Sequence, residues 1–193
     1  GKHTLVVEAT DAAGATAELD PAACFGIGES AARVVRIAAL VHDITHLPFG
    51  HNLEDQDGIF WRHDSAYRYR HLLGAGTGVG APGGRRRSTT AEEVLGILAP
   101  EEGAGRGVPA CWRQMVAGTI SSDILDYLAR DAYFTGLRLQ VDPRVASYFK
   151  IDRQSGNLYI DLCKHELLRE DILSEIVRML EARYYFSERV YYH

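Results

Sequence analysis

The sequence has little cysteine and no long apolar run, and each shortage narrows what the chain can be. Its three cysteines, Cys24, Cys111 and Cys163, are scattered and form no Cys-x-x-Cys pair. That excludes a thiolate zinc site and a disulfide framework, and it suits a reducing, cytoplasmic setting. No stretch approaches the roughly 20 apolar residues that span a bilayer, and no secretory leader is visible, so no membrane partner is expected. Basic charge is not in excess either: 21 Lys and Arg stand against 26 Asp and Glu, a formal net charge of −5. A dedicated nucleic-acid binder would carry a basic footprint, so nucleic acid is not expected as the main partner. There are no internal repeats. What is present is 193 residues, 46 % of them hydrophobic, enough to bury one substantial core. A single domain over residues 1–193 is the default expectation.

The periodicity predicts a mainly α chain. His3 to Ala13 reads as a helix closed by Gly14, followed by a Gly/Ala/Pro loop to about Gly28. Glu29 to Thr45 carries apolar residues at helical spacing, and Trp61 to Leu73 reads as a third helix closed by Gly74. Residues 74–90 are Gly-rich and include Arg85, Arg86 and Arg87. Gly76, Gly78 and Ala81 fit a loose GxGxxA pattern, but no strand precedes them and no Lys-Ser/Thr follows, so a flexible insertion is the better reading. Thr90 to Glu93 forms a capping box that opens a short helix ended by Pro100. Pro109 to Thr119 and Asp123 to Gly136 supply two more helices. The segment 148–162 alternates on either side of Gln154-Ser155-Gly156-Asn157, which predicts a small β-hairpin. Lys164 to His193 reads as one long amphipathic helix.

The chemistry concentrates in the run VHDITHLPFGH, Val41 to His51. His42 and His46 stand four apart, and a helix continuing from Val34 would project them from one face. Pro48 and Gly50 would then break that helix and swing His51 back toward the same side. Imidazole nitrogens beside the Asp43 carboxylate suit borderline or hard divalent ions. Other residues have plainer readings. His71 and His165 fit ordinary surface or core histidines, Asp123 suits a helix N-cap together with Ser121 and Ser122, and Arg183 and Tyr191 fit an amphipathic helix with an aromatic core face.

The His42-Asp43 doublet resembles the central pair of the HD phosphohydrolase superfamily, a helical-bundle fold. His3, in KHTLVV, is similar to that family's first-helix histidine. SSDILDYLARDAYFTGL resembles the D-x-x-D-Y-x-x-R-D-x-x-x-x-G run of the deoxynucleoside triphosphate triphosphohydrolase branch, with Asp123, Asp126, Tyr127, Arg130, Asp131 and Gly136 in place. HLPFGHNLE is similar to the branch's H-x-P-F-S-H-x-x-D/E, Trp61-Arg62-His63-Asp64 to its W-x-H-E, and EARYYFSERVYYH to its R-x-x-x-x-x-x-x-Y-x-H segment.

The resemblance implies one divalent ion (Mn, Fe, Mg, Co or Ni) held by His3, His42, Asp43 and Asp123. It implies hydrolysis of a dNTP to a deoxynucleoside and inorganic triphosphate, in a homo-oligomer. His51 would protonate the leaving 5′ alkoxide, His46 and His63 would support the phosphate charge, and Glu54 would orient an imidazole. Tyr127, Asp131, Arg183 and Tyr191 would hold sugar and phosphates. Three positions depart from the branch. Ile124 stands where it has Lys or Arg on the phosphates, a loss of about 1.5–3 kcal/mol for a charged hydrogen bond. Thr45 replaces a usual Gly. The chain also begins after the place of an expected Arg and stops where relatives continue, so it is expected to be part of a longer one. A nucleotidase acting on mono- or diphosphates, and a catalytically weak nucleotide sensor, remain alternatives.

Overall fold

The computed structural model describes residues 28–56, 58–73, 89–99, 108–139, 141–152 and 154–192. The expected first helix, with His3, lies outside these residues, as does the expected insertion as far as residue 88. The chain is mainly helical, as expected, and divides into two compact units: Glu29–Val116 forms one, and the described residues from Ala117 onward belong to the other.

The first unit carries α1 (Glu29–Val41), α2 (His51–Glu54), α3 (Ala66–Leu73), α4 (Thr89–Leu98) and α5 (Ala110–Ala117). On α1 the residues Ala32, Val35 and Ala38 recur every three positions and are buried with Val34. That spacing lines one face of a 3.6-residue helix, and its two alanines let another helix come close. The partner is α4, which brings Val94, Leu95 and Ile97 into the core and also packs on α3. Burial on α5 falls to Cys111, Met115 and Val116, and it pushes the Cys111 thiol up, so this sulfur is a core hydrophobe.

Two expectations in this unit are corrected. The helix from Glu29 stops at Val41, short of Thr45, so His42 and His46 do not share a helix face. Successive tight turns follow, closed by Ile44 N–H to the Val41 carbonyl at 3.1 Å and His46 N–H to the Asp43 carbonyl at 3.0 Å. The ring of His42 contributes to the stop by bonding the Ala39 carbonyl at 2.7 Å, the acceptor that one more helical turn would offer to Asp43. The helix expected from Trp61 begins only at Ala66. Residues 61–65 are drawn off the helical path because His63 spends its N–H on Glu54 and its carbonyl on Thr45.

The second unit contains α6 (Ser122–Thr135), a 3₁₀ segment (Pro143–Tyr148), β1 (Phe149–Ile151), β2 (Leu158–Ile160), β3 (Cys163–Lys164), β4 (Leu167–Leu168) and α7 (Glu170–Phe186), which runs into a wider π turn (Ser187–Tyr191). Extended Ser121 starts α6 and Gly136 ends it at φ 71°, a left-handed position suited to glycine. The 3₁₀ segment follows Asp142, whose carboxylate accepts the Arg144 N–H at 2.8 Å, with Pro143 in the first turn. The expected hairpin is present, antiparallel with Phe149 opposite Ile160 and Ile151 opposite Leu158.

The single helix expected from Lys164 is not what forms. A second hairpin, β3 with β4, precedes α7, and its tip residues His165 and Glu166 both have positive φ. Two left-handed residues make the tight turn that a two-residue hairpin needs, here without the glycine that would signal it. The core of the unit joins α6 to α7: Ile124 and Leu128, four apart, meet Met179, Ala182 and Phe186.

Candidate active site

Glu54 organises the first unit's polar cluster. It is 3 % exposed, and it sits at the end of the four-residue helix α2, which starts after a reversal where Phe49 (φ 70°) and Gly50 (φ 48°) are both left-handed. Such backbone is costly for a non-glycine residue and is found where the fold must aim a side chain. The Glu54 carboxylate receives five N–H donors. Oε1 accepts from His46 Nδ1 at 3.2 Å, Leu47 N at 3.2 Å and Arg68 Nη1 at 3.3 Å. Oε2 accepts from His63 N at 3.0 Å and His63 Nδ1 at 2.7 Å. Burial pushes this carboxyl up, but the hydrogen bonds from His63 and Leu47 outweigh it and hold Glu54 at about 2. Glu54 is therefore an anion at neutral pH.

An anionic carboxylate only accepts, so both imidazoles present Nδ1–H to it and keep Nε2 for the opposite side. On that side stands Asp43, half-exposed, whose Oδ1 lies 3.5 Å from His46 Nε2 and 4.0 Å from His63 Nε2. His46 and His63 stack with centroids 3.7 Å apart and planes at 18°, and His51 meets both edge-on at 4.9 and 5.0 Å. Ligand nitrogens of these three rings all lie within 4.8 Å of one another. Burial lowers the His63 pKa despite its bond to Glu54, which favours the neutral ring.

The other face of Asp43 belongs to His42. Asp43 Oδ2 is 3.3 Å from His42 Nε2, and the carbonyl bonded to Nδ1 on the far side of the ring fixes the tautomer, leaving the Nε2 lone pair toward the carboxylate. Tyr69 donates its hydroxyl to the His42 carbonyl, and Thr45 donates to the His63 carbonyl. Burial and the nearby Asp43 raise the Tyr69 pKa, so its hydroxyl stays protonated.

In the second unit four expected substrate contacts gather on α6, α7 and the π turn. The Tyr191 hydroxyl donates to Asp131 Oδ2 at 2.5 Å, and its ring meets Tyr127 edge-on at 5.8 Å. Burial raises the Tyr127 pKa while the hydrogen-bonded Arg183 guanidinium opposes it. Burial together with the bond to Asp131 raises that of Tyr191. Asp123 occupies the first turn of α6, after the N-cap Ser121. Ile124 is 7 % exposed and packed in the α6–α7 core, so this side chain serves packing.

Sequence reasoning did not find Arg68 or Tyr69. Arg68 donates to Glu54 and, at 2.9 Å, to the Trp61 carbonyl. Its separation of 14 residues from Glu54 matches no local pattern. Its place on α3, whose inner face buries Tyr69 and Leu73, was the one available hint. His71 and His165 are both exposed, in keeping with their ordinary reading.

No family model matches the sequence, and no curated protein matches it. Solved structures do. A phosphohydrolase from Bacteroides thetaiotaomicron aligns with a TM-score of 0.59 at 24 % identity, over 86 % of this chain and 36 % of its own. The fold is one that a phosphohydrolase uses. A hypothetical protein from Aquifex aeolicus aligns at TM-score 0.64 and 23 % identity, over 89 % of this chain and 43 % of its own. The chain thus spans less than half the length of either neighbour. Among the described residues, no helix is long and apolar enough to cross a membrane.

Proposed function

We propose that the protein is a metal-dependent phosphohydrolase that cleaves deoxynucleoside triphosphates to a deoxynucleoside and inorganic triphosphate. The observation that carries the reading is the pair of arrays on either side of Asp43: His42 on one oxygen, and His46 and His63, both held by Glu54, on the other. His42 and Asp43 offer a ring nitrogen and a carboxylate oxygen side by side for a divalent ion, and the resemblance adds His3 and Asp123. When bound, such an ion polarises phosphorus and lowers the pKa of a water molecule.

The chain's own residues do the rest. The leaving group is a 5′ alkoxide and needs a proton, which exposed His51 supplies at the open edge of the cluster. His46 and His63 face the transferred phosphoryl group, and Glu54 sets their tautomers and stabilises positive charge on either ring. Tyr191 and Asp131, already bonded to each other, and Tyr127 beside Arg183 bind the sugar and phosphates. The buried position of Ile124 favours a second reading, in which the substrate carries one or two phosphates, because no cation is presented from that place.

The test is incubation with Mn²⁺ and each of the four dNTPs, with products identified by chromatography. Deoxynucleoside plus intact triphosphate, lost on His42→Ala or Asp123→Ala, is the expected result. Orthophosphate or pyrophosphate released from a dNTP refutes the dNTP reading; with the same incubation run on the mono- and diphosphates, turnover of those alone supports the second, and no turnover of any nucleotide refutes both.

A further inference from the structure

We infer that Arg68 is a positioning residue: it sets the place of His63 through the Glu54 carboxylate and the Trp61 carbonyl. Two of the five donors on Glu54 are backbone amides, two are imidazoles and one is the Arg68 guanidinium. Only the guanidinium is a cation at every working pH. A carboxylate whose side chain is 0 % exposed persists as an anion only where it is paired and hydrogen-bonded, and Arg68 supplies the permanent charge of that pair. Its hold on Glu54 therefore does not vary as charge develops at the rings.

The same nitrogen has a second attachment. Nη1 reaches Glu54 Oε1 at 3.3 Å and the Trp61 carbonyl at 2.9 Å, so its two hydrogens bridge the carboxylate to the start of segment 61–65. At the far end, the Arg68 backbone N–H bonds the Ser65 carbonyl at 3.1 Å. One residue thus closes the segment at both ends, with His63 at its middle. There His63 N and Nδ1 bond Glu54 Oε2, and Thr45 bonds the His63 carbonyl. Without the bridge, His63 would be tied to a carboxylate that has lost its charged partner and to a segment open at Trp61. Arg62 makes the contrast. It bonds Asp55 and Asp64 at the surface, its side chain 52 % exposed against 18 % for Arg68, and exposed pairs of that kind hold little in place.

The consequence for turnover rests on the proposed function, in which His63 faces the transferred phosphoryl group. A misplacement of about 1 Å at such a group costs on the order of 100-fold in rate. Because Arg68 acts through Glu54 and the loop, the loss falls on kcat and not on KM. A cavity of about 400 Å³ opens beside the Arg68 side chain, lined also by His46, Trp61 and Tyr67, so a small cation has a path to the place of a deleted guanidinium.

The test is chemical rescue of Arg68→Ala in the full chain. It is read by steady-state kinetics with Mn²⁺ and dNTP, and by the Nδ1–H proton resonance of His63 in protein carrying isotopically labelled histidine, assigned from its absence in His63→Gln. Arg68→Ala should lower kcat about 100-fold with KM little changed, and broaden the resonance. Guanidinium, at concentrations that leave the wild type unchanged, should recover about tenfold of that loss and sharpen the resonance; methylammonium, a charge without the planar fork, should do neither. Arg68→Lys keeps the charge on a stem one bond shorter, and it serves if the alanine variant does not fold. It should lose about tenfold in kcat and broaden the same resonance. Arg62→Ala should move neither readout. The inference is overturned if the His63 resonance stays sharp in the Arg68 variants, if the loss falls on KM, or if Arg68→Lys turns over like the wild type. A wild type that hydrolyses no dNTP would refute the proposed function, and the response of the His63 resonance to Arg68→Lys and to guanidinium would still decide the positioning role.

Discussion

Glu54→Gln is the substitution on which the account of the cluster depends most. Glutamine keeps the shape and one acceptor oxygen but puts an NH₂ group among five N–H donors. If the amide nitrogen takes the Oε2 side, the two donors of His63 meet another donor; if it takes the Oε1 side, those of His46, Leu47 and Arg68 do. Two or three hydrogen bonds to an ionised acceptor disappear, each worth about 1.5–3 kcal/mol when made, and Arg68 loses its counter-charge. Rotation of the rings and entry of water recover part of this. The expected net loss is about 3–5 kcal/mol, the range for breaking a buried ion pair from one side.

Urea unfolding followed by circular dichroism at a series of pH values measures that loss. The folded carboxyl sits at about 2 against an ordinary value of 4.5, so its contribution is fully present above about pH 4.5 and is lost as pH falls toward 2. The wild type should therefore shed stability across that window faster than the variant, and the two curves should converge in acid. A loss below about 1 kcal/mol, with curves that stay parallel down to pH 2, would refute the assignment of Glu54 as the anionic centre of the cluster.

Tyr191→Phe removes the hydroxyl that bonds Asp131 at an exposed position. It should cost no more than about 1 kcal/mol in folding, while raising KM for the nucleotide more than it lowers kcat; steady-state kinetics beside a thermal melt separates the two. Gly136→Ala meets no atom within 4 Å, so only the positive φ opposes it. The expected cost is about 1 kcal/mol from a strained helix end, and an unfolding midpoint equal to the wild type's would show that α6 does not end there.

The parts of this fold that could be read in advance are those governed by local rules. The apolar stripe of α1, the helix α6 between Ser121 and Gly136, and the hairpin around Gly156 all have local signatures, and the first two differ from expectation only at their ends. The hairpin at His165 and Glu166 was not legible, because its turn is made by residues that rarely adopt positive φ and carry no sequence mark. The stops at Val41 and before Ala66 share another cause. There, side-chain bonds from His42, Thr45 and Glu54 compete for backbone groups, and two of the three are set by residues distant in sequence. The candidate site divides the same way. The His42-Asp43 pair stands out in a line of text, whereas the five-donor environment of Glu54, including Arg68, exists only once α2 and α3 have packed.

The two faces of α6 leave that helix almost no freedom in length. Asp123, Tyr127 and Asp131 recur every four residues along one side, and Ile124 and Leu128 follow one position later toward the core. One extra residue turns everything beyond it by about 100°. Inserted between Leu128 and Asp131, it would keep Asp123 and Tyr127 in place, carry Asp131 away from Tyr191, and shift the C-terminal Gly136 out of its turn. Substitutions at Asp126 or Tyr133, both exposed, disturb none of this. In a family that varied freely elsewhere, α6 would change its letters but keep its count.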